Sequence, residues 1–135
     1  FKGWLSGWHH GGTFTDCTFT IGKNWYPATI CYGNTTFSTC KFFNNDTDAD
    51  VYDDKNSADP DGYYRCNYVV AGCNPTTTID FSSCKFMNEQ GTVTDNVTAS
   101  NHPYHACSWG DGKVANANVK VGGTVVTTKC SDASK

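Results

Sequence analysis

Eight cysteines carry most of the chemistry this sequence offers: Cys17, Cys31, Cys40, Cys66, Cys73, Cys84, Cys107 and Cys130. Thiols can pair as disulfides, ligate soft metals, or act as nucleophiles once ionised. Structural zinc sites draw on close Cys-x-x-Cys pairs, and the chain has none. An even count at wide spacing is instead the pattern of a disulfide framework in an oxidising compartment. The expectation is that all eight are disulfide-bonded, with connectivity open, because spacing alone does not choose among the pairings.

Oxygen donors cluster once. Asp46, Asp48 and Asp50 alternate within an acidic stretch that runs on through Asp53, Asp54, Asp59 and Asp61. Alternating aspartates can wrap a Ca²⁺ ion. The start of this stretch resembles an EF-hand loop, but Val51 stands where that loop needs Gly and Ser57 where it needs Glu. The expected reading is a solvated acidic insertion with at most weak Ca²⁺ affinity, and no other cofactor. His9-His10 and His102-x-x-His105 have no carboxylate pair or Cys–His couple beside them in sequence. Asp80 and Glu89 are not singled out by spacing as an acid/base pair, and Arg65 is the single arginine. No catalytic residue is assigned, and the chain is read as a non-enzyme.

Three Asn-x-Ser/Thr sequons, at Asn34, Asn45 and Asn96, mark candidate glycosylation sites and agree with secretion. Exposed aromatics can stack on sugars or bury against a partner. Trp4, Leu5 and Trp8 are the candidates for assembly or glycan contact; Trp25-Tyr26 and Trp109 are further aromatics. Thr-x-Thr pairs such as Thr13/Thr15 and Thr18/Thr20 do not recur in step with the cysteines, which argues against an ice-binding ladder.

The elements that must position these groups are set by an internal repeat, aromatic-x-x-Cys-x-aromatic. It reads Phe14 to Phe19, Phe37 to Phe42, Tyr63 to Tyr68, Phe81 to Phe86 and Tyr104 to Trp109, around Cys17, Cys40, Cys66, Cys84 and Cys107. The copies are rich in Thr, Phe and Tyr, which favour strands. Cys and the aromatic two positions later share a strand face. The aromatic three positions earlier has the opposite parity, so it reaches the same core only if the chain bends between them. Asn, Gly and Asp cluster after the copies, where turns are expected.

The segments Phe14 to Phe19, Phe37 to Asn45 and Phe81 to Asn88 resemble the short coils of right-handed parallel β-helices of the surface-adhesin and pectate-lyase-like type. The resemblance implies architecture more than function. The expected fold is all-β: a disulfide-rich parallel β-helix of about five coils with a C-terminal β-hairpin, the alternative being a β-sandwich in which the repeats are hairpin strands. The expected organisation is one domain, 1–135, with an arm or cap at 1–12, the repeat region at 13–112 and a hairpin at 113–130. Two alternating runs around Gly122-Gly123 predict that hairpin.

The net charge of −3 and the scattered lysines offer no basic stripe for nucleic acid. No apolar run is long enough to span a bilayer. The start at Phe1 reads as a cleaved, mature, secreted product. The expected function is a non-catalytic extracellular structural or adhesive glycoprotein that self-associates, a candidate filament subunit. The alternative is a secreted carbohydrate-binding or carbohydrate-active domain.

Overall fold

A computed structural model describes residues 11–20, 28–43, 70–72, 74–106 and 117–126. Among the described residues the chain is all-β, with no helix. The strands are β1 (Gly12–Thr15), β2 (Thr18–Thr20), β3 (Thr29–Ile30), β4 (Thr35–Ser38), β5 (Lys41–Phe43), β6 (Val70–Gly72), β7 (Thr78–Ser82), β8 (Lys85–Met87), β9 (Val93–Asn96), β10 (Tyr104–Ala106), β11 (Asn118–Val121) and β12 (Thr124–Val125). They form sheets in the orders β1-β4-β7-β11-β12, β2-β5-β8-β9 and β10-β6-β3.

Strands carrying successive Phe motifs pair parallel and in register, not as the hairpins of a sandwich. Phe14 lies beside Phe37, and Phe37 beside Phe81. Phe19 lies beside Phe42, and Phe42 beside Phe86. The bend demanded by side-chain parity falls at Asp16, Thr39 and Ser83, each with positive φ of 53–54°. A single left-handed residue between two short strands turns both flanking aromatics into one interior. Thr39 Oγ1 donates to Asp16 Oδ1 across this corner, tying one bend to the next.

The rings form two interlocked columns. Phe14, Phe37 and Phe81 stack at centroid separations of 5.3 and 5.2 Å. Phe19 and Phe42 stack at 5.4 Å and meet the first column edge-on. Offset stacks and edge-to-face contacts are the favoured ring geometries. Cys40, Ile79, Val70 and Tyr104 are among the other residues of the buried core.

Not every copy of the repeat joins the columns. The strand after β7 in its sheet is β11, so Val121 follows Phe81. Tyr104, which opens the fifth copy, instead lies in the third sheet beside Val70. The equivalence expected of Cys17, Cys40, Cys66, Cys84 and Cys107 therefore holds for Cys17, Cys40 and Cys84. Cys66 and Cys107 lie outside the described residues. The Tyr104 hydroxyl has its own role: it donates to Gly72 O at 2.8 Å and accepts from Ala117 N at 2.9 Å. Gly72 sits where a Cβ would approach Cys31 O to 3.0 Å, a contact tight enough that the neighbouring backbone would have to give way.

Antiparallel strands end two of the sheets: β9 returns along β8, and β12 returns along β11. The predicted C-terminal hairpin is present as β11–β12. Gly122 and Gly123, at φ 55° and 81°, supply the positive-φ pair that a two-residue hairpin turn requires.

Candidate functional site

Cys17, Cys40 and Cys84 each directly follow one of the three left-handed corners and pack in or against the hydrophobic core. The backbone ladder runs through them: Lys41 N donates to Cys17 O and Lys85 N to Cys40 O, both at 2.9 Å. Their thiols repeat one geometry. Cys40 Sγ donates to Ser38 O and Phe14 O, and Cys84 Sγ to Ser82 O and Phe37 O, at 3.4–3.5 Å. Cys17 Sγ donates to Thr15 O at 3.4 Å. Side chains in equivalent poses on neighbouring parallel strands repeat at the strand spacing, about 4.8 Å. A disulfide needs about 2.05 Å between sulfurs.

Cys17, Cys40 and Cys84 are accordingly free thiols, and Cys31, outside the column, is free as well, which corrects the expectation that all eight cysteines are disulfide-bonded. An even cysteine count does not reveal that three of them are stacked in one pose. Cys66, Cys73, Cys107 and Cys130 lie outside the described residues.

Burial governs the chemistry of these thiols. It pushes Cys31 up to about 12, against a smaller opposing effect from a hydrogen bond with Thr35. It pushes Cys84 up to about 11, with hydrogen bonding by the Cys40 backbone opposing it. Cys40 is raised for the same first reason, partly offset by the Cys17 backbone. A buried protonated thiol is a poor nucleophile and resists oxidation. Iodoacetamide on the native protein at pH 8 is expected to modify the half-buried Cys17 before Cys31, Cys40 or Cys84; equal rates would place those three at the surface.

Stability should follow the same chemistry. The unfolded chain gives up these protons near the ordinary value of 9.0, the fold only nearer 11–12. The stabilisation is therefore full below about pH 9 and is lost as pH rises toward 12. Urea midpoints of the wild type and of Cys31→Val, compared from pH 8 upward, check this. The wild type should fall more steeply.

The outward face of the β1-β4-β7-β11 sheet is lined by hydroxyls in register. Thr13 lies beside Thr36, and Thr15 beside Ser38, which lies beside Ser82. Asp80 follows Thr36 in its row, with Lys120 after it. Asp80 Oδ1 is buried without a hydrogen-bond partner. The Thr-x-Thr pair itself does not recur, but its two positions do, as Thr36/Ser38 and Asp80/Ser82. The signal was Thr-Phe-Thr, Thr-Phe-Ser and Asp-Phe-Ser flanking the first ring of three copies. On the β2-β5-β8 sheet the exposed Lys41 and Lys85 stand side by side.

Asn34 and Asn96 are exposed. Asn34 Oδ1 accepts from Thr78 N at 2.9 Å, joining two strands at a corner. Asn74 holds the same end of the molecule through Tyr32 O and the Thr76 backbone. Asn45, the Ca²⁺ candidates Asp46, Asp48 and Asp50, the contact candidates Trp4, Leu5 and Trp8, and Trp25, Tyr26 and Trp109 all lie outside the described residues. Asp80 is mid-strand while Glu89 lies in the exposed turn after β8. Among the described residues no group of three or more His, Cys, Asp or Glu is arranged to hold a metal ion, and no helix is long and apolar enough to cross a membrane.

No family model, curated protein or solved structure matches the chain.

Proposed function

We propose that the chain is a non-catalytic extracellular structural or adhesive unit, built as a short parallel β-helix whose faces are the described sheets. The observation that carries the reading is the in-register stacking of Phe14, Phe37 and Phe81 on parallel strands. Successive passes of the chain then each contribute one strand per face. Such a scaffold is rigid along its axis and displays regular rows of side chains on flat faces. Secretion is supported by the exposed sequon residues Asn34 and Asn96. Buried thiols with raised pKa values are compatible with an oxidising compartment.

Self-association through residues 1–12, which hold Trp4, Leu5 and Trp8, is part of this reading: a head-to-tail contact that does not close makes a filament. The test is sedimentation of the full chain beside a chain lacking residues 1–12. Concentration-dependent polymer that disappears on deletion, with the circular dichroism of the fold intact, supports the reading. A full chain that stays monomeric overturns the filament.

The hydroxyl rows of Thr13, Thr15, Thr36, Ser38 and Ser82 favour a second reading, a carbohydrate-binding domain, because flat arrays of hydroxyls can match sugar hydroxyls. A monomer that retains one polysaccharide on a glycan array, and loses it when Thr15 and Ser38 are made Val, would replace the first reading with this one.

A further inference from the structure

The three stacked thiols are separated by a distance that suits neither a disulfide nor a zinc tetrahedron. Two metal–thiolate bonds of about 2.3 Å laid end to end span about 4.6 Å, close to the strand spacing of about 4.8 Å that separates neighbouring thiols. We propose that two adjacent thiols of the Cys17, Cys40 and Cys84 column bind one soft d¹⁰ cation in linear two-coordination, a pair of ligands rather than the three or more of an ordinary metal centre.

The backbone ladder fixes the ligand positions before any ion arrives, since Lys41 N and Lys85 N bind the carbonyls of Cys17 and Cys40. Pre-set ligands lower the ordering cost of binding. Thiolate sulfur selects soft cations over Mg²⁺ or Ca²⁺. Cys17 is half-buried, whereas Cys40 and Cys84 are buried, so the ion has an entry from the Cys17 end and a dry seat beyond it. A mercuric ion between two thiolates gives a neutral unit, which a low-dielectric interior tolerates. In that step two S–H bonds break, two S–Hg bonds form, two protons leave to solvent and nothing is oxidised or reduced. The proposal is independent of the adhesive role.

Cys40 belongs to both adjacent pairs, so the column takes a single ion and depends on its middle member. Removing Cys40 leaves Cys17 and Cys84 two strand spacings apart, about 9.6 Å, too far for one ion to bridge. The experiment loads the full-length reduced protein with Hg²⁺, passes it through gel filtration with excess 2-mercaptoethanol, and counts retained metal by native mass spectrometry. Ions on the other cysteines form a constant background, so the reading is the difference between variants. Cys40→Ala should retain one ion fewer than the wild type. Cys17→Ala and Cys84→Ala, each leaving one adjacent pair, should retain the wild-type number. Cys40→Ser, which keeps a donor for Phe14 O, repeats the middle substitution in case the alanine variant does not fold. Full retention by Cys40→Ser overturns the site, and so does loss of an ion in either end variant.

Discussion

Truncating Phe37 to alanine is expected to destabilise the fold by about 3–5 kcal/mol, the range for removing a fully buried ring. Phe37 is 0% exposed. Its ring stacks on Phe14 and Phe81 and receives the edges of Phe19 and Phe42 at 5.5 and 5.4 Å. No neighbour can close the gap without breaking the register that holds the next ring, so most of the cavity should persist. Domains of this size are stable by about 5–15 kcal/mol in all, so the variant should unfold at a small fraction of the wild-type urea concentration. Val125→Ala is the control. Val125 is 60% exposed, and substitutions at such sites usually stay within about 0.5 kcal/mol. A loss below about 1 kcal/mol for Phe37→Ala would contradict the ring column.

The second large effect should come from deleting one oxygen atom. Tyr104→Phe leaves the ring in place but removes the donor to Gly72 O and the acceptor for Ala117 N. Each buried polar group stripped of its partner costs about 1–3 kcal/mol. No water-sized space is created, so solvent cannot replace the hydroxyl easily. The urea midpoint should drop with the m-value unchanged, the signature of lost stability without a change in compactness. A midpoint equal to that of the wild type would show that both backbone groups find other partners.

Much of the fold was legible in the sequence because side-chain parity is strict. Phe14 and Phe19 fall on opposite strand faces, so a shared core required a bend between them, and Asp16 supplies it with its positive φ. The Gly122-Gly123 turn was legible for a similar reason, since few residues adopt that backbone. Which copies of the repeat stack was not legible. Phe81 and Tyr104 begin equally good copies, and the difference lies in the intervening path, which returns through β9 and delivers Tyr104 to the third sheet. Strand β9 has no buried alternation to betray it, being exposed throughout. The thiol column was hidden in another way. The spacing of Cys17, Cys40 and Cys84 was visible, but their shared pose, and hence their inability to join, depends on parallel pairing. The hydroxyl rows are hidden in the sequence because Ser and Asp take places that Thr holds in the first copy.

In register terms, Gly12 stands beside Thr35 and Thr15 beside Ser38, so the chain repeats itself after one short segment. A tandem duplication of residues 12–34 in the coding sequence would therefore offer the sheets of β1 and β2 one more strand each in the same register. The new Phe would fall between Phe14 and Phe37, the new Asp at a left-handed corner, and the new Cys in the sulfur column. The same duplication beyond β8 or β11 would meet a reversed strand and find no parallel neighbour to copy. Among the described residues, duplication thus suits the parallel strands β1 and β4 and not the reversed strands β9 and β12, which gives descendants of this chain a direction in which to grow.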